Sequence, residues 1–344
     1  MGAGARVLAL IGVALVLGAC RPRGGEAPEA VPTPFDDRPY AEGPIDPGTR
    51  VFLVAGGDDI ANFAQEVATQ QHLWRQAGVP DETMACYWAK PSAAAWREDQ
   101  EQYYALQTQV KGCRRAEPAT LRRDLLAVAK DDPEFVYLFI TAHGLPPLLS
   151  WKAGASDHRG VAAKFDLGFH ELEVLDQHVI GLQAGPGPRL EQVGAIVDAY
   201  KDGTDPGELM LSPGTLADAL SQFPKHTLKI VVLQACFSGG FIGDKDAEAL
   251  SPLTEVDNVV VLTATAHDRP SFGCGAGSVS TYYGGAINKS LARRLEPGRT
   301  PADVAWEQVW EDAAFAVDVM ESIDGERASV PGFFSNVGEA PVVR

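Results

Sequence analysis

Two apolar segments, each leading into a reactive side chain, constrain the fold of this chain most strongly. The first segment covers residues 136–141 and leads to His143 and Gly144, and the second covers residues 229–234 and leads to Cys236. Apolar runs of this length are typical of strands that are buried on both faces of a parallel sheet. Because ligands of such sheets bind beyond the carboxyl ends of the strands, we expect His143 and Cys236 to share one crevice.

An imidazole beside a thiol is the minimum apparatus for nucleophilic cysteine catalysis. The thiolate is the reactive form, and a neighbouring His143 can take the proton of Cys236 and later donate it to a leaving amine. Gly144 and Gly239 leave room for a substrate carbonyl. We expect the backbone N–H groups of Gly144 and Cys236 to form an oxyanion hole, worth about 3–4 kcal/mol per donor. Taken alone, such a cysteine would be a core residue and such a His-Gly a turn, but the pair favours a functional site.

These motifs resemble those of the caspase-like cysteine peptidases, in particular the legumain (asparaginyl endopeptidase) family, in a bacterial lipoprotein form. The resemblance rests on His143-Gly144 and on Gln234-Ala235-Cys236, and it extends over about residues 50–295. It implies a caspase-like three-layer α/β/α sandwich with a mostly parallel central sheet. It also implies endopeptidase activity through an acyl-enzyme, with catalytic residues His143 and Cys236 and with no cofactor and no metal.

The substrate pocket departs from the legumain pattern. In that family a charged framework around the pocket recognises asparagine, whereas here the corresponding positions leave Gln65, Gln234 and Ser271 as candidate substrate-binding residues, and Gly285 stands where the family has an aspartate. A pocket without these charges should lose the matching selectivity. We therefore expect a neutral polar or small residue before the scissile bond rather than strict cleavage after asparagine.

The N-terminal segment is typical of export. Residues 1–19 combine Arg6 with a short apolar stretch, as in a signal peptide, and the sequence around Cys20 resembles a lipobox. The competing interpretation is an ordinary secretory signal with an incidental cysteine. Arg21 favours outer-membrane anchoring facing the periplasm, so we expect a lipid-anchored protein of the bacterial cell envelope. Residues 20–48 are rich in proline and predict an extended tether.

Export also permits disulfides. With Cys20 assigned to a lipid and Cys236 to catalysis, Cys86, Cys113 and Cys274 remain. We expect Cys86 and Cys113 to pair and Cys274 to stay free, although all three could instead be reduced and buried.

The remaining residues, 49–344, predict one α/β domain with an insertion at about 145–212. Within the insertion we expect a strand over 164–169 and a helix over 190–200. The net charge is −17, which argues against nucleic acid and anionic membrane surfaces as partners. The expected partners are a protein or peptide substrate, together with the membrane through the N-terminal lipid.

Three alternatives remain open from the sequence. The same dyad could serve a transpeptidase or ligase, in which an amine resolves the acyl-enzyme. The chain could also be a non-catalytic envelope lipoprotein that retains the fold. Finally, it could be a zymogen that is cut within residues 145–212 or in the tail after Glu321.

Overall fold

The computed structural model describes residues 38–45, 48–57, 60–92, 100–182, 189–244, 249–274, 278–338 and 341–344. The predicted signal peptide and the lipidation site Cys20 lie outside these residues. Within the described part of the chain, no helix has both the length and the apolar character needed to cross a membrane.

Most of the strands form one central sheet. In chain order the strands are β1 (Thr49–Ala55), β2 (Met84–Trp88), β3 (Arg114–Arg115), β4 (Phe135–Thr141), β5 (His143–Leu145), β6 (Val179–Gly181), β7 (Leu228–Gln234), β8 (Gly243–Asp244), β9 (Ala249–Leu250), β10 (Val259–Thr263), β11 (Gly332–Ser335) and β12 (Val342–Val343). The central sheet has the order β12-β11-β10-β7-β4-β1-β2-β3. It is parallel from β10 to β3, and β11 and β12 are antiparallel additions at one edge.

Helices cover both faces of this sheet. They are α1 (Ala61–Ala77), α2 (Gln100–Val110), α3 (Pro118–Val128), α4 (Leu148–Ala153), α5 (His158–Phe165), α6 (Phe169–Leu175), α7 (Val193–Lys201), α8 (Pro206–Leu209), α9 (Pro213–Leu220), α10 (Tyr282–Arg294) and α11 (Trp306–Asp324). One core lies between the sheet and α1, α2, α10 and α11, and the other lies between the sheet and α3 and α9. The expectation of a three-layer α/β/α sandwich with a mostly parallel sheet is confirmed.

The two strands that lead to His143 and Cys236 lie at the centre of the sheet. All seven residues of β4 are buried, as are the last six of β7. Alternate side chains of each strand enter opposite cores, because successive residues of a strand point to opposite faces. Continuous apolar runs therefore fit this position, and hydrocarbon packing on both sides holds the two strand ends in place.

The insertion is a small helical unit with its own apolar cluster. The prediction of a strand over residues 164–169 is wrong, because α5 ends at Phe165 and α6 begins at Phe169. The Asp157 carboxylate accepts hydrogen bonds from the N–H groups of Arg159 and Gly160, which starts α5 and carries the segment into helix. The predicted helix over 190–200 is present as α7. The insertion joins the domain through β6, which pairs with β5 directly after β4.

Both flanks of the domain are more ordered than the sequence suggests. Residues 38–45, assigned to the tether, pack against the end of α1, where Ile45 is buried and its N–H donates to the carbonyl of Gly78. In the tail, β11 pairs with β10 and buries Phe333 and Phe334 in the two cores. The tail after Glu321 is thus part of the sheet, so its removal would expose both cores.

Candidate active site

The carboxyl ends of β4 and β7 bring His143 and Cys236 together. The strands pair in parallel, with Thr141 opposite Gln234, so His143 and Cys236 each lie two residues beyond this pair. The close approach continues past the strands: a Cβ atom placed on Gly144 would lie 1.8 Å from the carbonyl oxygen of Cys236. Only glycine fits there, and the backbone after the histidine therefore packs directly on the backbone of the cysteine.

The imidazole of His143 is half-buried and lies against α1 and the end of β1. Its ring packs edge-to-face on Phe63, with 5.4 Å between the ring centroids. A Cβ atom on Gly57 would be 3.3 Å from Cδ2 of His143. These two neighbours restrict the ring on its apolar side, which limits the orientations of its two nitrogens.

The thiol of Cys236 is half-buried and bonded to the loop that follows β10. Its Sγ accepts a hydrogen bond from the N–H of Ser271 at 3.2 Å and lies 3.8 Å from the carbonyl oxygen of the same residue. Burial raises the pKa of Cys236, and the backbone N–H groups of Ser271 and of Cys236 itself oppose this effect. Burial therefore favours the neutral thiol over the thiolate in this position.

A tight turn follows the nucleophile. Phe237 has a left-handed backbone with φ of +58°, which costs a non-glycine residue roughly 1–2 kcal/mol. Hydrogen bonds from the N–H of Phe237 to the carbonyl of Arg269 and from the N–H of Ser238 to Oγ1 of Thr265 hold this conformation. A Cβ atom on Gly239 would come within 2.5 Å of the N of His267, so glycine is required in this turn.

The backbone N–H of Gly144, the predicted oxyanion donor, is not used by the neighbouring strand β6. Gly144 is paired with Ile180 in the antiparallel β5–β6 ladder, and the N–H of Ile180 donates to the carbonyl of Leu211 on its other side. Gly144 and Ile180 therefore form a non-hydrogen-bonded pair, in which each residue directs its backbone N–H away from the partner strand. The N–H of Gly144 is therefore directed away from β6 and does not take part in the β5–β6 ladder.

The three predicted pocket residues occupy different environments. Ser271 is buried, and its backbone contacts the thiol. Gln234 is 2% exposed, and its Oε1 has no hydrogen-bond partner among the described residues. Gln65 is half-buried on α1, and in the described part of the chain its side chain makes no hydrogen bond. Ser271 thus reaches the nucleophile directly, whereas nothing ties Gln65 to it.

The cysteines also divide by role. Cys86 and Cys113, the pair expected from the sequence, form a disulfide that connects β2 to the start of β3. The expectation that Cys274 stays free is wrong, because Cys274 is disulfide-bonded. Among the described residues, Cys236 is the free thiol. In the same residues no cluster of three or more histidine, cysteine or acidic side chains has the arrangement of a metal site.

Sequence reasoning missed one buried acid beside the site. Glu66 of α1 is fully buried, and its carboxylate bonds to Thr141 at the end of β4 and to Thr281 before α10. Burial raises the pKa of Glu66 to about 7, and the hydrogen bonds from Thr141 and Thr281 oppose the rise. A sequence signal exists: Asn62, Glu66 and Gln70 recur every fourth residue, which places three polar groups on one face of a buried helix.

No family model and no curated protein matches this chain. Among solved structures, caspase-1 from Spodoptera frugiperda is 9% identical, with coverage of 90% of this chain and 95% of that chain and a TM-score of 0.46. A structural-genomics target from Geobacter sulfurreducens is also 9% identical, with coverage of 86% and 95% and a TM-score of 0.45. Similarity at this level carries no information about the activity of this chain.

Proposed function

We propose that this chain is a cysteine endopeptidase of the caspase-like type, with Cys236 as nucleophile and His143 as general base and acid. The observation that carries the proposal is the meeting of the two strand ends, where Gly144 packs on the carbonyl of Cys236 and the amide of Ser271 contacts the thiol. Two reactive groups held by the centre of a rigid sheet suit a reaction that needs fixed geometry.

The proposed reaction begins when His143 takes the proton of the Cys236 thiol. The sulfur then attacks the carbonyl carbon of the scissile bond, and the N–H groups of Gly144 and Cys236 stabilise the negative oxygen. As the carbon–nitrogen bond breaks, His143 donates the proton to the leaving amine. Water, deprotonated by His143, attacks the thioester, which releases a carboxylic acid and restores the thiol.

The resting thiol gives this proposal a specific requirement. Burial raises the pKa of Cys236, so the free enzyme holds little thiolate at neutral pH. Transfer of the proton to His143 must therefore accompany substrate binding. A peptide that pairs with the backbone of Ser271 would compete with Sγ for the Ser271 N–H and would free the sulfur to turn toward the carbonyl carbon.

One described pocket residue supports a proposal for the substrate class. Gln234 is buried with a free amide oxygen, and it neighbours Thr141 on the face of the sheet that α1 covers. A buried acceptor of this kind favours a donor on the substrate, because leaving it unpaired costs about 1–3 kcal/mol. We propose a neutral polar or small side chain before the scissile bond.

The decisive experiment labels the purified protein with peptidyl electrophiles that differ in the residue before the reactive group. Intact mass would report labelling, and Cys236→Ala and His143→Ala would be compared with wild type. The matched control is His226→Ala, which removes an exposed histidine at the opposite end of the sheet. We expect labelling at Cys236 that requires His143 and not His226. A folded wild-type protein that no electrophile labels would contradict the proposal.

We further propose that a lipid on Cys20 anchors the protein to the bacterial envelope, with a protein or peptide as its substrate. The support is the N-terminal sequence, since these residues lie outside the described part of the chain. Mass analysis of the exported protein and of Cys20→Ser tests the anchor. A lipidated cysteine has no thiol left for a disulfide, and Cys274 is disulfide-bonded. Alkylation of the same sample after reduction therefore decides between a lipid and a disulfide at Cys20, and a new alkylated thiol at Cys20 would overturn the proposed anchor.

A further inference from the structure

The carboxyl group of Glu66 is buried between two elements that flank the candidate site. Its Oε2 accepts a hydrogen bond from Oγ1 of Thr141 at 2.6 Å. Its Oε1 accepts two more from Thr281, one from the backbone N–H at 2.6 Å and one from Oγ1 at 2.7 Å. Three hydrogen bonds of 2.6 to 2.7 Å therefore join the carboxyl group of Glu66 to the two threonines.

The two threonines belong to opposite halves of the site. Thr141 is the last residue of β4, two residues before His143. Thr281 caps α10, where its Oγ1 accepts from the N–H of Gly284, and the next residue, Tyr282, donates its N–H to the carbonyl of Phe272. Glu66 thus links the strand that carries the histidine to the loop that contacts the thiol.

The surroundings are built around this carboxylate. A Cβ atom on Gly284 would lie 2.2 Å from the carboxyl group of Glu66, so glycine makes the space for it. One turn earlier on α1, the Asn62 side chain donates to the carbonyl of Gly273 at 2.9 Å. The same helix therefore contacts the loop at a second point and fixes its distance from β4.

Stability alone gives no reason for this arrangement. Burial raises the pKa of Glu66 to about 7, so its surroundings disfavour the charged form. Replacing a buried ionised group by well-packed apolar side chains is often neutral or stabilising. A carboxylate that is difficult to bury and bonded to both halves of a site suits a role in setting geometry.

We propose that Glu66 is a positioning residue that holds the end of β4, and with it the imidazole of His143, in register with the loop at Ser271. The inference rests on the proposed function, because His143 needs a fixed position only if it exchanges a proton with Cys236. Glu66 touches neither the substrate nor the thiol in this role and acts through Thr141.

Thr141→Val tests the link, since it removes one hydroxyl at nearly constant volume and leaves both bonds of Thr281. Thr141→Ser restores the hydroxyl. The matched control is Thr227→Val, which removes an equally buried hydroxyl bonded to the carbonyl of Pro133 at the far end of the sheet. All three variants would be made in the complete protein, with melting temperature, kcat and KM measured for a peptide found by the labelling panel.

We expect Thr141→Val to lower kcat about ten- to hundredfold with KM little changed, because displacement of a reacting group by ~1 Å costs about that much. Thr141→Ser should recover most of the rate, and Thr227→Val should keep it despite lower stability. If Thr141→Val and Thr227→Val lose stability alike and both keep kcat, Glu66 is only structural and the proposal is overturned.

A second readout does not depend on peptidase activity. In protein labelled with ¹³C at histidine Cε1, the His143 resonance is identified by its absence in His143→Ala. If wild type cleaves no peptide, the proposed function fails, but a shift of this resonance in Thr141→Val alone still supports the positioning role. An unchanged His143 resonance in Thr141→Val overturns it whether or not the protein is a peptidase.

Discussion

Replacing Gly144 by alanine should separate the two halves of the candidate site. The added Cβ would lie 1.8 Å from the carbonyl oxygen of Cys236 and 3.1 Å from Cβ of Ala235. Such contacts are essentially never shorter than 3.0 Å, so the two backbones must move apart by more than about 1 Å. The carbonyl oxygen of Cys236 belongs to the main chain, and the Cβ of residue 144 is fixed to it. Rotation of a side chain therefore cannot relieve this contact.

The expected cost is at the upper end of that for overpacking, about 3 kcal/mol. For a domain of about 300 residues, 1 kcal/mol corresponds to roughly 1.6 °C in melting temperature, which gives a loss of about 5 °C. Cleavage or labelling at Cys236 should fall by a larger factor than stability predicts, because the predicted oxyanion donor moves as well. A thermal melt and the electrophile panel measure the two effects.

The control is Gly112→Ala, since Gly112 has open space within 4 Å of the added Cβ. It should leave both the melting temperature and the labelling nearly unchanged. If Gly144→Ala melts within about 2 °C of wild type, the close approach of the two strand ends does not exist in solution. His143 and Cys236 would then not be held together in one site.

Three further outcomes follow from the same structure. Burial raises the pKa of Cys236, so the rate of its alkylation by iodoacetamide should rise with pH with an apparent pKa above the ordinary thiol value of about 8.5. A lower apparent pKa would mean that the thiolate is present before substrate binds. Replacing both Cys86 and Cys113 by serine should cost about 3–4 kcal/mol, since the bond closes a separation of 27 residues, and an unchanged urea midpoint would contradict this. Lys229→Met should lower the free energy of unfolding by about 3 kcal/mol, because the buried ammonium donates hydrogen bonds to three backbone carbonyls that would lose their partner. A decrease below about 1 kcal/mol in urea unfolding would refute this explanation.

The sequence predicted the centre of this fold well for a physical reason. Strands buried on both faces must be apolar throughout, so β4 and β7 stand out from the rest of the chain, and parallel pairing then places their carboxyl ends together. The short strand β11 was not predicted, because its four residues are too few to show the alternation of side chains that marks a strand. The strand predicted over residues 164–169 is absent, because the Asp157 carboxylate caps the N-terminus of α5 and favours helix in this segment.

The site was predictable to the extent that its residues follow strands. His143 and Cys236 follow from their positions. Ser271 was expected in the substrate pocket through family resemblance, and the contact of its backbone with the thiol was not anticipated. The spacing of Asn62, Glu66 and Gln70 marks a polar face on α1, but the partners of Glu66 were not predictable. Thr141 and Thr281 are far away in the chain and become neighbours only when α1 and α10 pack on the same face. Gln65, the pocket residue predicted on α1, is half-buried, whereas its neighbour Glu66 is fully buried.

The contact between Gly284 and Glu66 also limits how this chain can change by single substitutions. A side chain at position 284 would collide with the carboxylate while Glu66 is present, but the space becomes available once a smaller residue replaces the acid. A lineage can therefore lose the acid first and the glycine afterwards, whereas the reverse order passes through a disrupted intermediate. In a double-mutant cycle, Glu66→Ala should lessen the damage done by Gly284→Ala, which is the non-additivity expected of residues in direct contact.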